Sequence, residues 1–323
     1  MKNDTIPCHH KDCPEKFHPI GTDFCPNTGN PLFERKFDQK NKFQSFLIKF
    51  LICLTAILSI VIVLLLKNCD LKNILDKIPY HRQLTSPLKS KFYNNTLETT
   101  FILIKPSEFE MGSPDHENGR NIDEIQKRIS IQQHFYIMAT EITQKQWYKL
   151  MGTKPWQGKN YTIEGDNYPA TNISWNDCQE FIDKLNQKEN TKKYRLPLEA
   201  EWEFVCRAGT ITRFNWGEKI DCSKANFGNG LLEDKCNDNN TGQIKDVTSY
   251  APNKWGIYNM HGNVWEWCNE NYLNPKTNEK TSYKITRGGG WHSNPNLCRS
   301  ANRGKCRPEQ RLNDQGFRLI SEI

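Results

Sequence analysis

The chain has 323 residues, 36% hydrophobic and 25% charged, which leaves room for one or two domains with a sizeable core. Its net charge of +7 is unevenly placed: residues 1–49 carry 8 Lys/Arg against 6 Asp/Glu, residues 67–97 carry 6 against 2, and residues 98–323 carry 30 against 29. A nearly neutral large domain excludes nucleic-acid binding through a basic face of its own. The basic excess sits instead beside an apolar segment, where Lys67, Lys72, Lys77 and Arg82 would meet lipid headgroups.

In chain order, residues 1–35 come first, with Cys8, His9, His10, Cys13, His18 and Cys25 among several prolines and glycines. So few apolar residues cannot fold alone, and zinc held by Cys8, Cys13, His18 and Cys25 would supply the missing free energy, with His9 or His10 able to stand in for His18. Phe24 to Leu32 resembles the second knuckle of a zinc ribbon, except that Thr28 stands where that family has a cysteine. A tail with free thiols is the alternative.

Residues 36–45 form a basic linker, and residues 46–66 read as a transmembrane helix. Phe50 to Leu66 carries no charge, and Lys49 can snorkel to the interface. About 45 polar residues precede the segment and no small-residue cleavage site follows, so it reads as an uncleaved, single-pass anchor. Arg35, Lys36, Lys40 and Lys42 nearly balance the cations beyond it, so the positive-inside rule alone does not orient the chain. Metal-binding thiols need a reducing compartment, which places the N-terminus in the cytoplasm and the C-terminal domain outside it. Residues 67–97, with Pro79 and Pro87, read as a juxtamembrane linker ahead of a domain over 98–323.

Within that domain Phe101 to Ile104 is a short apolar strand. Thr143 with Gln146 forms a capping box before Trp147, Leu150 and Met151, and Ser174 with Asp177 does nearly the same before Cys178, Phe181, Ile182 and Leu185. Pro197 opens a third helix, with Trp202 and Cys206 on one side. Beyond residue 207 there is no long periodic helix, only Gly, Asn and aromatic residues in short runs. The irregular backbone this implies needs partners from side chains, water or ions.

Seven pieces of residues 100–323 carry a family resemblance: Phe109-Glu110-Met111-Gly112-Ser113, Glu141-Ile142-Thr143, Tyr194-Arg195-Leu196-Pro197 running into Glu199-Ala200-Glu201-Trp202-Glu203, Trp216-Gly217, Gly262-Asn263-Val264-Trp265-Glu266-Trp267, Arg287-Gly288-Gly289-Gly290-Trp291 and Gly316-Phe317-Arg318-Leu319. In this order they resemble the formylglycine-generating enzyme, or sulfatase-modifying factor, family. The resemblance implies an α+β, C-type-lectin-like fold with sparse regular secondary structure. The residues fit that picture: the three glycines permit close backbone approach, and Trp202, Trp216, Trp265, Trp267 and Trp291 supply apolar mass to a loop-rich core.

The resemblance also implies calcium, held by the side chains of Asn259 and Glu266 and the carbonyls of Gly262 and Val264, a hard-oxygen set suited to that ion. A second calcium set falls on Asn226, Phe227, Asn239 and Thr241. The copper(I) site of the family's active oxidases needs two cysteines, because soft thiolates select that ion. Here one falls on Cys298 and the other on Ser293, and Gly290 replaces a functional serine. A hydroxyl cannot replace a thiolate, and Cys306 lies eight residues beyond Cys298, on the wrong side of it. The iron-dependent branch uses a histidine-rich helical domain absent from this chain. Seven cysteines run from Cys178 onward; Cys222 and Cys236 are the first candidates for a disulfide, while Cys178 and Cys206 sit on helix faces as core residues.

These features predict a catalytically degenerate module that binds a protein or small ligand through His292, Ser293, Asn294, Asn296, Leu297 and Trp265. Residues 291–316 also look like the variable loops of retroelement-diversified binding proteins on this fold. The alternative is a formylglycine-generating oxidase with an altered copper site and Cys298 as its catalytic residue.

Overall fold

In a computed structural model of the chain, residues 5–7, 17–19, 88–228 and 242–323 are described. The anchor at 46–66, the linker at 36–45, Cys8, Cys13, Cys25, Asn239 and Thr241 lie outside the described residues. Among the described residues no helix is long and apolar enough to cross a membrane. The chain divides into two units, residues 1–87 and 88–323. Of the first, β1 (Thr5–Pro7) and β2 (Phe17–Pro19) form an antiparallel pair in which His18 lies opposite Ile6.

The second unit is built on a five-stranded sheet of order β3-β4-β7-β13-β8. Its strands are β3 (Lys91–Asn94), β4 (Thr99–Ile104), β7 (Phe135–Met138), β8 (Tyr194–Arg195) and β13 (Ile320–Ser321), all neighbours antiparallel. The two-residue side-chain period of a strand explains how it serves two cores. Phe101, Tyr136, Met138 and Leu319 pack with helices α1 (Gln144–Met151) and α2 (Trp175–Lys188), whereas Ile104, Phe135, Ile137 and Ile320 pack with helix α3 (Glu199–Arg207). Trp147, Phe181 and Phe317 lock the first core, with ring centroids 5.4 to 6.2 Å apart.

Both predicted capping boxes form: Thr143 with Gln146 starts α1, and Ser174 with Asp177 starts α2. The third helix starts at Glu199 rather than at Pro197, because Glu201 accepts the Leu198 N–H and Glu270 accepts the Glu199 N–H. Two readings of the sequence need correction. The start of the domain moves from 98 to 88, since β3 pairs with β4, Phe92 stacks on Phe101 at 4.9 Å, and Leu97 is buried. The segment beyond residue 207 also contains two long strands, β9 (Trp265–Leu273) and β10 (Lys280–Arg287), within a sheet of order β11-β10-β9-β12. Its outer members are β11 (Gly304–Cys306) and β12 (Gln315–Gly316), the latter parallel to β9. The hairpin of β5 (Ser107–Met111) and β6 (Lys127–Ile131) completes the unit.

Candidate functional site

The segment after β10 turns through Gly288 and Gly289 with φ of 96° and 76°, then runs through a 3₁₀ turn at Pro295–Cys298. A Cβ on Gly289 would lie 2.3 Å from Cys298 Sγ, so the glycine is what lets the thiol press against the backbone. Cys298 is fully buried beside Phe214, Ala225 and Phe227, and burial pushes its thiol far above the usual range. His261 fastens this turn from behind. Its Nδ1–H donates to the Cys298 carbonyl at 2.7 Å, and its Nε2 accepts the Asn215 N–H at 3.1 Å, which fixes the neutral tautomer. Burial pulls the imidazole down to about 4, in keeping with that role.

Ser293 is equally committed. Its Oγ accepts the Gly290 N–H at 2.9 Å and the Trp265 Nε1–H at 3.2 Å, and the side chain is buried. At Gly290 an added Cβ would meet Asp314 Oδ2 at 2.7 Å. The carboxylate of Asp314 therefore occupies the space that a serine side chain at position 290 would need. Burial pushes that carboxyl up, opposed by His292, whose Nδ1 lies 3.5 Å from it. His292 and Leu297 are exposed, while Asn294, Asn296 and Trp265 are half-buried. Asn294 Oδ1 caps the Asn296 N–H and Asn296 Oδ1 accepts from Arg213, so both polar side chains hold the turn as well as facing outward.

The segment is anchored by buried cations. Arg299 forks onto Glu124 and reaches Glu117 and the Gly119 carbonyl, and Arg287 bonds Glu203 and the Asn302 carbonyl. Bidentate guanidinium pairs of this kind fix geometry as well as charge.

This donor set does not fit copper(I). Of its two cysteine positions one is a hydroxyl held by two N–H donors, and the other is a protonated thiol sealed in an aromatic cluster. Calcium fares differently. Asn259 spends its amide N–H groups on Glu141 and the Val247 carbonyl, and among the described residues the buried carbonyls of Gly262 and Val264 accept no hydrogen bond. Glu266 accepts from Arg318 at 2.6 and 2.7 Å and from Trp202 Nε1 at 2.9 Å, so an ion held there would share it with that guanidinium. In the second set Asn226 is buried with its Oδ1 lacking any donor, which fits a hard cation; Phe227 adjoins it, and Asn239 and Thr241 lie outside the described residues. Cys222 is disulfide-bonded, its partner lying outside the described residues, while Cys178, Cys206, Cys268, Cys298 and Cys306 are free.

Three residues in and beneath this face were not singled out as site residues by the sequence. Asp314 stands two positions before Gly316 and was not separated from the closing structural motif. Tyr161, in a loop tied to Asn313 through the Asn160 carbonyl, brings an exposed ring to 6.2 Å from Trp291. Glu141, fully buried, accepts from Asn259 and Asn263. Only Glu141 gave a signal, as part of a quoted motif.

Comparison with known proteins agrees with the fold. The chain is 28% identical over 269 residues to chaperone protein LppX of Paenibacillus barcinonensis, covering 70% of this chain and 91% of that protein. It is 27% identical over 216 residues to the formylglycine-generating enzyme of Mus musculus, covering 57% of this chain and 56% of the enzyme, so it spans about half of that relative's length. The solved structure of PvdO from Pseudomonas aeruginosa superposes with a TM-score of 0.61 at 27% identity, covering 74% of this chain and all of that one. Residues 88–323 match the family described as sulfatase-modifying factor enzyme 1-like domain, and the chain belongs to that family.

Proposed function

We propose that this chain is a membrane-anchored binding module in which the family's oxidase chemistry is degenerate, and that the face formed by Tyr161, Trp265 and residues 291–297 takes a protein or small ligand. One observation carries the reading: Ser293 Oγ is engaged by Trp265 and Gly290 while Cys298 is sealed behind Gly289, so this site offers no pair of accessible thiolates to copper(I). Likeness of fold does not carry activity across when the reacting groups differ. The similarity to a protein named as a chaperone supports the protein-binding form of this reading.

Calcium is part of the proposal, held by Asn259, Gly262, Val264 and Glu266 and by Asn226, Phe227, Asn239 and Thr241. It would tie the loops beneath the binding face together. Residues 46–66 anchor the chain in this reading, with a cytoplasmic N-terminal module binding zinc through Cys8, Cys13, His18 and Cys25 and the large domain outside. Copper(I) titration of the full chain under reducing conditions, alongside turnover of a cysteine-containing sulfatase peptide, tests the central point. No aldehyde is expected, and Cys298→Ser should leave copper uptake unchanged, because the thiols of Cys8, Cys13 and Cys25 take up copper(I) on their own. Tight one-to-one binding with aldehyde formation would make Cys298 catalytic and overturn the reading.

A further inference from the structure

A groove of about 840 Å³ opens between β4, the β4–β5 corner, the C-terminal end of α3 and Trp255, and it shares no residue with the face described above. Its size falls within the range of small-ligand pockets. Phe109, Phe204 and Trp255 form an aromatic ladder along it, with ring centroids 5.1 and 4.9 Å apart. Phe204 is buried, Phe109 and Trp255 are half-exposed, and Ile211 beside them is 81% exposed. No lining side chain leaves a buried polar atom unpaired. The guanidinium of Arg207 is already spent on Glu203 and on the Thr212 and Gly112 carbonyls. The floor is therefore mainly apolar, with no buried side-chain polar atom in need of a partner. That suits a hydrocarbon and disfavours a sugar or an extended peptide, whose polar groups would go unmatched.

The rim has different chemistry. Lys91 and Lys105 line it, both exposed, and neither forms an ion pair among the described residues. Of its two acids, Glu108 is bound to Arg128 at 2.6 Å, and Glu110 lies directly across the β5–β6 ladder from the same arginine. The charge left uncommitted at the mouth is positive. We propose that this groove binds a single-chain anionic amphiphile of the fatty-carboxylate class, with the acyl chain along the aromatic ladder and the head group at Lys91 and Lys105.

The test uses the full-length chain in phosphatidylcholine nanodiscs, photolabelled with a diazirine-bearing palmitate and mapped by mass spectrometry. Adducts should fall on residues 102–110, 204–211 or Trp255. Unlabelled palmitate should compete about tenfold better than its methyl ester, the difference a charge-assisted contact makes. Joint Lys91→Glu and Lys105→Glu substitution should erase that preference, and Ile211→Asp should lower labelling about tenfold through lost apolar contact. All three positions are exposed, so unchanged thermal midpoints separate these effects from misfolding. Adducts confined to other segments, equal competition by acid and ester, or crosslinking of a protein partner in place of the lipid would overturn the proposal.

Discussion

Replacing Arg318 by Met removes a fully buried guanidinium that bonds Glu266 through two nitrogens and also reaches the carbonyls of Met138, Ala139 and Tyr258. Glu266 would keep one donor, Trp202 Nε1, and would face the buried carboxyl of Glu141 with no cation between them. Orphaning one member of a buried pair costs about 3–5 kcal/mol. In a domain of this size each kcal/mol shifts the midpoint by roughly 2–4 °C, so a fall of roughly 6–20 °C is expected. Thermal and urea unfolding should be run in EDTA, so that no divalent ion stands in for the lost charge. Burial already pushes the Glu141 carboxyl up to about 7 and Arg318 holds it down, so without the guanidinium the loss should be smaller at pH 5 than at pH 8. Removing both charges, as Glu266→Gln with Arg318→Met, should recover about 2 kcal/mol or more. A single variant that loses less than about 1 kcal/mol at pH 8, or a double variant no more stable than the single, would refute the reasoning.

Two further outcomes follow from the same structure. Glu270, pushed up to about 7 by burial, has a folded value above its ordinary 4.5. Its contribution is therefore present below pH 4.5 and lost as pH rises to about 7, up to about 3 kcal/mol, and Glu270→Gln should flatten the stability profile over that window in urea titrations. Calcium at a hundredfold excess over its dissociation constant should add about 2.7 kcal/mol to unfolding stability, and Asn226→Ala should remove a large part of that increment in calorimetry. An increment unchanged by the substitution would remove Asn226 from the ligand set.

What the sequence shows by itself, and what it does not, divides by the distance along the chain between interacting residues. The starts of α1 and α2 were legible because a capping box is a contact between residues three apart: Thr143 with Gln146, Ser174 with Asp177. The family frame was legible because its motifs are short and ordered. The partner of Glu266 was not, since Arg318 lies 52 residues further on and nothing local marks the pair. Asp314 was missed for the same reason: its meaning comes from filling the space that Gly290 leaves, and a sequence shows the missing side chain without showing what enters the gap. The residues proposed to bind, Trp265 aside, share one turn, but the sequence could not tell Ser293, locked inside, from His292, which faces solvent. β9 and β10 escaped because aromatic and polar residues alternate there with bulge-like register shifts, which blurs a strict two-residue period.

The position of β13 has a consequence for how the chain must be made. The last strand does not close an edge; it is inserted between β7 and β8, pairing Ile320 with both Ile137 and Arg195. Until residues 320 and 321 take this place, β7 and β8 have no common neighbour in the sheet. The sheet therefore cannot close before this strand is available, and a contact spanning more than 180 residues, Ile320 with Ile137, makes that step slow. A domain lacking residues 320 and 321 would be a substrate for proteases rather than a slightly weakened form.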